Sequence, residues 1–431
     1  MTSYAGQIYR NGKLQSGVLH VQDGRITKVA KSGKADVDLG KRAILAGAID
    51  LHVHFREPGA THKEDWTSGT TAAAFGGVTT VVDMPNTAPP TTTLKALREK
   101  LRIARDKAVV DYAAWSGATW YMDDLPEMLR WSPGIKIYLG ATTGDLLCDD
   151  MARVKEAIRI TGEAGRSVLV HGEAQRILDQ MRRTEQELAD HHTTRPPLAE
   201  VEAIYDLMKI LPGMKPRPLI HICHIASAEA VQAADAAKFS RGVCPHHILL
   251  DHIGCCEARP GNGKMNPPLR PPVARGALWD AFAAGRIPVL ESDHAPHTKT
   301  EKEDAFHRVP AGVPGVETML PVMLAKVHAG DVPLATVVDA ATSGPAKVLG
   351  VADRGTLEPG MKADFTVWDL DDVRPIDESA LHSKCGWSPF HEHDAVFPTH
   401  TFLDGEAAVE DGALRSWPGS GQTVLPLPDD L

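Results

Sequence analysis

Two imidazoles one residue apart on a β-strand can hold one metal ion. The segment Ala48-Ile49-Asp50-Leu51-His52-Val53-His54-Phe55-Arg56 offers that spacing. Side chains alternate faces along a strand, so His52, His54 and Arg56 share one side. The plain alternative is a pair of exposed histidines on an edge strand, and the expected burial of a barrel's first strand counts against it. Three more apolar segments finish in similar chemistry: Val168-Leu169-Val170-His171-Gly172-Glu173, Leu219-Ile220-His221-Ile222-Cys223-His224-Ile225, and Val289-Leu290-Glu291-Ser292-Asp293-His294. Taken singly, each is most simply a hydrogen-bonded strand end. Gathered together, imidazoles and a carboxylate suit Zn²⁺ or a similar divalent ion. Lys136 lies inside Gly134-Ile135-Lys136-Ile137-Tyr138-Leu139. An ammonium in an apolar strand is costly unless its charge is paired or removed. Two readings stay open: the lysine snorkels to a rim, or CO2 converts it to a carbamate whose two oxygens could bridge cations about 3.5–4 Å apart.

Such side chains meet only if the strand ends meet. Apolar segments at 48–54, 79–84, 109–116, 134–139, 168–172, 219–225, 242–246 and 288–293 alternate with helical patterns such as 151–164, 198–210, 227–238 and 273–284. That alternation is the mark of an α/β protein with a parallel sheet. Eight units in about 300 residues predict a (β/α)8 TIM barrel, whose C-terminal strand ends converge on one mouth. A doubly wound sheet is the alternative, but no Gly-rich dinucleotide fingerprint follows the first strand. Both ends of the chain read as short strands, at 7–9, 17–21, 26–29, 363–368 and 399–402, with turns at Asn11-Gly12, Asp23-Gly24, Asp404-Gly405 and Asp411-Gly412. The expected organisation is residues 1–48 and 351–431 forming a small β-sandwich domain around a barrel at 49–350. The Pro- and Asp-rich tail from Leu425 is expected to be loose.

The 431 residues include 46 Lys+Arg against 56 Asp+Glu, a net charge of −10, with 43% hydrophobic and 24% charged residues. This is globular composition, not disorder. The acidity argues against a duplex nucleic-acid binder, and no apolar run approaches the ~18–20 residues of a membrane span. The first residues lack a charged then apolar pattern, so no secretory signal is expected. Six cysteines without framework spacing read as reduced thiols in the cytoplasm.

The densest motif runs from Asp50 to Pro90. It holds His52-Val53-His54-Phe55-Arg56-Glu57-Pro58-Gly59, Lys63-Glu64-Asp65, Ala74-Phe75-Gly76-Gly77-Val78-Thr79-Thr80 and Asp83-Met84-Pro85-Asn86-Thr87. With Lys264-Met265-Asn266-Pro267-Pro268-Leu269-Arg270 and Asp293-His294-Ala295-Pro296-His297, the chain resembles the amidohydrolase superfamily and, within it, the long-chain dihydroorotases. The resemblance implies two zinc ions per subunit, one held by His52, His54 and Asp293, the other by His171 and His224. A carbamate on Lys136 and a hydroxide would bridge them. His224 is preferred to His221 because it lies nearer the strand end and because His224-Ile225-Ala226-Ser227 fits the family pattern. Asp149 and Asp150 are fallbacks should an aspartate replace the carbamate.

The resemblance further implies a substrate-carboxylate pocket of Arg56, Asn86 and His297, a ring contact from Asn266, and Asp293 as the catalytic proton carrier. Residues 297–317 are expected to cover the substrate. The reaction implied is reversible closure of N-carbamoyl-L-aspartate to L-dihydroorotate plus water, a step of pyrimidine biosynthesis. Rivals are an allantoinase or a hydantoinase/dihydropyrimidinase, whose substrates lack that carboxylate, and an inactive partner of aspartate transcarbamoylase, which missing ligands would betray. A homo-oligomer and an association with aspartate transcarbamoylase are compatible partners.

Other signals carry less. His391-Glu392-His393 falls in the C-terminal β region, His191-His192 is expected to be solvated, and His246-His247, at the end of the seventh strand, to support the ligands from behind or to be structural. Gly261-Asn262-Gly263-Lys264 lacks the Ser/Thr of a phosphate loop, and Cys255-Cys256 lacks metal-finger spacing.

Overall fold

The computed structural model describes residues 1–426; the expected loose tail, apart from its first two residues, lies outside the described residues. Strands Ala48–Val53, Val78–Asp83, Asp111–Ala114 with its continuation Ser116–Gly117, Gly134–Tyr138, Ser167–His171, Ile220–Ile222, Ser240–Val243 and Val289–Leu290 pair in parallel in chain order. The ring closes where Val53 bridges His294 and the His54 N–H donates to the His294 carbonyl at 2.8 Å. Strands covered on both faces must be apolar throughout, and Ala48–Val53 is buried at every position. Helices start where the sequence offers caps: Asp150 accepts from the Ala152 and Arg153 N–H groups ahead of Met151–Glu163, and Ser227 from that of Ala230 ahead of Ala228–Ala237.

Three strands are shorter than their apolar runs. Ile220–Ile222 and Val289–Leu290 end before the polar residues that follow them. The segment expected at 242–246 is corrected more sharply: pairing ends at Val243, and a short helix, Pro245–Leu249, begins with Cys244 as its cap. Pro245 has no N–H for the ladder but suits the first turn of a helix.

The two chain ends share one eight-stranded sheet, in the order Ala413–Leu414, Glu406–Glu410, Pro398–Leu403, Phe365–Trp368, Val37–Ala46, Thr2–Arg10, Lys13–Gln22, Arg25–Ala30. Phe365–Trp368 runs antiparallel to Val37–Ala46, joining the N- and C-terminal contributions. Tyr4 and Phe402 sit three strand spacings apart, roughly 14 Å in a flat sheet. Their ring centroids are 5.2 Å apart, and both rings pack on Phe365. The sheet is therefore folded over its own apolar face, giving the sandwich-like layer the termini predict. Among the described residues no helix is long and apolar enough to cross a membrane.

Candidate active site

The barrel mouth gathers residues drawn from every quarter of its sequence. His52, His54, Arg56, Asn86, Tyr138, His171, His224, Asn266 and Asp293 line one narrow cavity with only about 30 Å³ of free space. The imidazoles form a chain, with centroids 5.2 Å apart for His52 and His54, 5.0 Å for His52 and His224, and 4.9 Å for His171 and His224. Ligating atoms of His52, His54 and Asp293 all lie within 4.8 Å of one another.

Three rings are gripped from behind. His52 Nδ1 is 3.3 Å from Glu291 Oε2, His54 Nδ1 is 2.6 Å from Asn86 Oδ1, and His171 Nε2 is 2.8 Å from Glu173 Oε2. The Asn86 amide nitrogen donates to the Thr143 carbonyl at 2.9 Å, which turns Oδ1 toward His54. Each outer ring nitrogen therefore carries the hydrogen, and each inner one presents a lone pair. Two of these lone pairs face a carboxylate oxygen. His52 Nε2 is 3.4 Å and His54 Nε2 3.1 Å from Asp293 Oδ1. His171 Nδ1 is 3.2 Å from His224 Nε2, and His224 Nδ1 is buried with no partner. The His52 and His54 lone pairs aimed at the Asp293 carboxylate have no hydrogen to share, and a divalent cation is the group that fits them.

Electrostatics favour the same ligand states. Burial and then the Lys136 charge push His52 down to about 4, against Asp293 and Glu291. Burial likewise lowers His54, His171 and His224, leaving neutral rings. Burial resists ionisation of Asp293, and a positive charge beside it, on His52 or His54, lowers its carboxyl. Lys136 is fully buried, with Nζ donating to Cys223 Sγ at 3.0 Å and lying 5.3 Å from the Tyr138 ring centroid. Snorkelling is thereby overturned: the strand carries Lys136 inward, beneath the imidazoles. His221 bonds Ser240 Oγ at 2.9 Å and does not line the cavity. Asp149 and Asp150 are exposed, the latter spent on its helix cap.

A second group of donors stands beside the first. Arg56 Nε donates to the Pro296 carbonyl at 3.2 Å, and its Nη2 lies 3.2 Å from His297 Nε2. Lys63 Nζ donates to His297 Nδ1 at 3.2 Å, so the ring hydrogen sits on Nε2, 3.2 Å from the Ala311 carbonyl. Burial, then Arg56 and Lys63, hold His297 far below its usual value. A guanidinium and a neutral imidazole N–H thus converge with a lysine behind them, an arrangement that suits a carboxylate. Asn266 Nδ2 donates to Thr142 Oγ1 at 3.1 Å, while its Oδ1 is buried without a partner. Thr143 Oγ1 donates to the Ala311 carbonyl at 3.2 Å, and Thr142, Thr143, Ala311 and Gly312 wall the cavity. The wall thus includes part of the 297–317 segment.

Arg56, His224 and Asp293 have φ of 62°, 39° and 44°. Left-handed backbone is uncommon outside glycine. Four other examples, Asn11, Asp23, Asp404 and Asp411, are Asn or Asp before Gly in turns, where it is cheap. At the mouth it turns three chains sharply just past their strands.

Sequence reasoning gave no role to Glu173, Glu291, Lys63, Thr142, Thr143 or Cys223. The two glutamates had a signal: each sits two residues from His171 or Asp293, in the polar stretch that follows the same strand. His191 corrects an expectation of solvation. It is buried, with Nδ1 2.9 Å from Glu185 Oε1 and Nε2 2.9 Å from the Met265 carbonyl, because its helix, Leu188–Thr194, packs on the segment leading to Asn266. His192 is half-buried.

The sequence pattern of the amidohydrolase family matches residues 43–406. The chain belongs to the amidohydrolase family. Its curated relatives include proteins named dihydroorotase from Methanosarcina acetivorans, 34% identical and covering 96% of this chain and 93% of that one, and from Halobacterium salinarum, 38% identical over 87% and 88%. Among solved structures, the L-hydantoinase (dihydropyrimidinase) of Arthrobacter aurescens superposes with a TM-score of 0.92 at 25% identity, covering 99% of this chain and all of that one. The dihydropyrimidinase of Brevibacillus agri, at 24% identity and a TM-score of 0.89 over 99% of this chain and 100% of that one, shares the fold. In this amidohydrolase the His52, His54 and Asp293 cluster at the mouth has the donors to hold a metal ion.

Proposed function

We propose that this amidohydrolase is a dihydroorotase, interconverting N-carbamoyl-L-aspartate and L-dihydroorotate plus water. One observation carries the choice among cyclic amides: the Arg56 and His297 donors, backed by Lys63, converge beside the metal-binding cluster. A substrate with its own carboxylate uses that cradle, whereas allantoin and hydantoin leave it unanswered. The naming of the relatives supports the same choice.

His52, His54 and Asp293 would hold one cation and His171 and His224 another, with a carbamate on Lys136 shared between them. The donor set suits zinc. Bound there, the pair supplies Lewis acidity to the ring carbonyl and brings the pKa of the attacking water toward ~7. Asp293 accepts the proton of that water and delivers it to the departing ring nitrogen. Arg56, His297 and the second amide hydrogen of Asn86 grip the substrate carboxylate, and the unpartnered Oδ1 of Asn266 accepts from a ring N–H. Cyclisation runs the same contacts backward.

All six cysteines are unpaired, which supports a reducing, cytoplasmic setting. Self-association and a contact with aspartate transcarbamoylase complete the reading, each measurable by sizing the chain alone and mixed with that enzyme. The deciding experiment is an assay of metal-analysed protein on dihydroorotate, with allantoin and hydantoin as controls. Turnover of dihydroorotate alone is expected; turnover of either control without dihydroorotate would reassign the enzyme.

A further inference from the structure

The turn that ends the seventh barrel strand carries a second kind of donor cluster. Cys244, His246 and His247 are 0%, 1% and 2% exposed, and one ligating atom from each lies within 4.8 Å of the others. The two rings meet edge to face, with centroids 4.3 Å apart. His247 Nε2 lies 2.9 Å from the Pro267 carbonyl, which can only accept, so the ring hydrogen is there and Nδ1 holds a lone pair. That Nδ1 is buried with no partner, and so is His246 Nε2. Two orphaned ring nitrogens and a thiol therefore belong to one buried donor cluster.

Hydrogen bonding alone leaves this arrangement unexplained. A buried polar atom is ordinarily paired, and these rings have no donor to receive. One thiolate and two imidazoles are the ligands that structural and catalytic zinc sites draw on, with a fourth position left for water. Soft sulfur also tilts the choice toward Zn²⁺ or Cu⁺ and away from Mg²⁺ or Ca²⁺. Burial lowers both imidazoles, keeping them neutral and able to ligate. Glu291 and Asp293 lie near enough to act on both Cys244 and His246, so added positive charge would be offset.

We propose that Cys244, His246 and His247 form a further metal position, distinct from the donors lining the mouth cavity, that takes a thiophilic divalent ion such as Zn²⁺. An ion there fixes the His247 ring. Through the bond to Pro267 it also fixes the backbone next to Asn266, which gives the position a structural role in the substrate pocket. The sequence assigned His246 and His247 a supporting or structural place rather than ligation; the company of Cys244 changes their chemistry.

The test uses the full chain, stripped of metal and titrated with Co²⁺. A thiolate bound to cobalt adds a charge-transfer absorption that nitrogen and oxygen ligands do not. None of His52, His54, Lys136, His171, His224 or Asp293 contains sulfur, so the band reports only on a cysteine. Cys223 is the competitor, since it lies beside Lys136 and groups with His52 and Glu291. The band is expected in the wild type and in Cys223→Ser, and is lost in Cys244→Ser together with one equivalent of bound cobalt. Absence of the band in the wild type overturns the proposal, as does a band that Cys244→Ser keeps. Should Cys244→Ser fail to fold, His246→Gln retains the thiol and is expected to weaken the cobalt titration at least tenfold; unchanged affinity overturns the proposal as well. Because the band is read without substrate, its failure leaves the dihydroorotase reading standing.

Discussion

Both ends of the barrel bury charge, and they do so to opposite ends. At the floor, Asp111 opens the third strand and accepts from Lys362 at 2.6 Å, Arg354 at 3.0 Å and the Gln422 N–H at 2.9 Å. Arg354 also donates to Thr80 Oγ1 at 2.8 Å, and Lys362 reaches Asp404 at 3.2 Å. Each cation there has its carboxylate. Since Arg354, Lys362 and Asp404 come from the C-terminal part of the chain, the network ties the terminal sheet to the barrel. At the mouth, imidazole lone pairs face a carboxylate. The floor's cations are answered within the chain, whereas the mouth suits an ion from outside. Buried polarity is thus a fastener in one place and a receptor in the other, and the partner census tells them apart.

That contrast can be broken at four points. Asp293→Ala should reduce kcat by about 10²–10⁴, the range for lost acid–base catalysis, with the circular dichroism spectrum kept; near-normal turnover would remove Asp293 from the chemistry. Lys136→Ala should lower the zinc bound per chain, read by elemental analysis, and an unchanged metal content would end the carbamate idea. Asp111→Ala strands two buried cations and should cost about 3–5 kcal/mol in denaturant unfolding, while kcat per folded molecule stays close to wild type. A collapse of kcat in the folded Asp111 variant would mean the two ends are coupled.

The smallest effect is in pH. The His52 value falls from 6.5 unfolded to about 4 folded, so its share of stability is intact above about 6.5 and is lost as pH drops toward 4. At the floor, burial opposes charge on Lys362, but Asp111 and Asp364 outweigh it and raise its value above the usual 10.5. Its share is intact below that and is lost at more alkaline pH. The melting temperature of metal-stripped protein should therefore fall on the acid side through the mouth, and Asp111→Ala should flatten only the alkaline side. An acid limb unchanged in His52→Gln would contradict this division.

The alternation of apolar strands and helices made the barrel legible, and polar residues at four strand ends made the mouth legible. Burial of Lys136 also follows from its apolar neighbours, though not which of two fates a buried lysine meets. What the sequence concealed was long-range support. Glu291 grips His52 across 239 residues, and Lys63 reaches His297 across 234; no local pattern announces such pairs. The Val37–Ala46 strand was hidden because its first half is mostly exposed, so it lacks an apolar period. His191 was misjudged because its polar neighbours describe the outer face of its helix and not the face that packs.

The left-handed turns at Arg56, His224 and Asp293 carry a consequence for the evolvability of this catalyst. Strained backbone costs on the order of 1–3 kcal/mol per residue, and glycine would adopt these angles without that cost. Selection for heat tolerance alone would then pull all three positions toward the residue that can do no chemistry. Their side chains persist only while activity is under selection, and a library screened for endurance without turnover would lose them early.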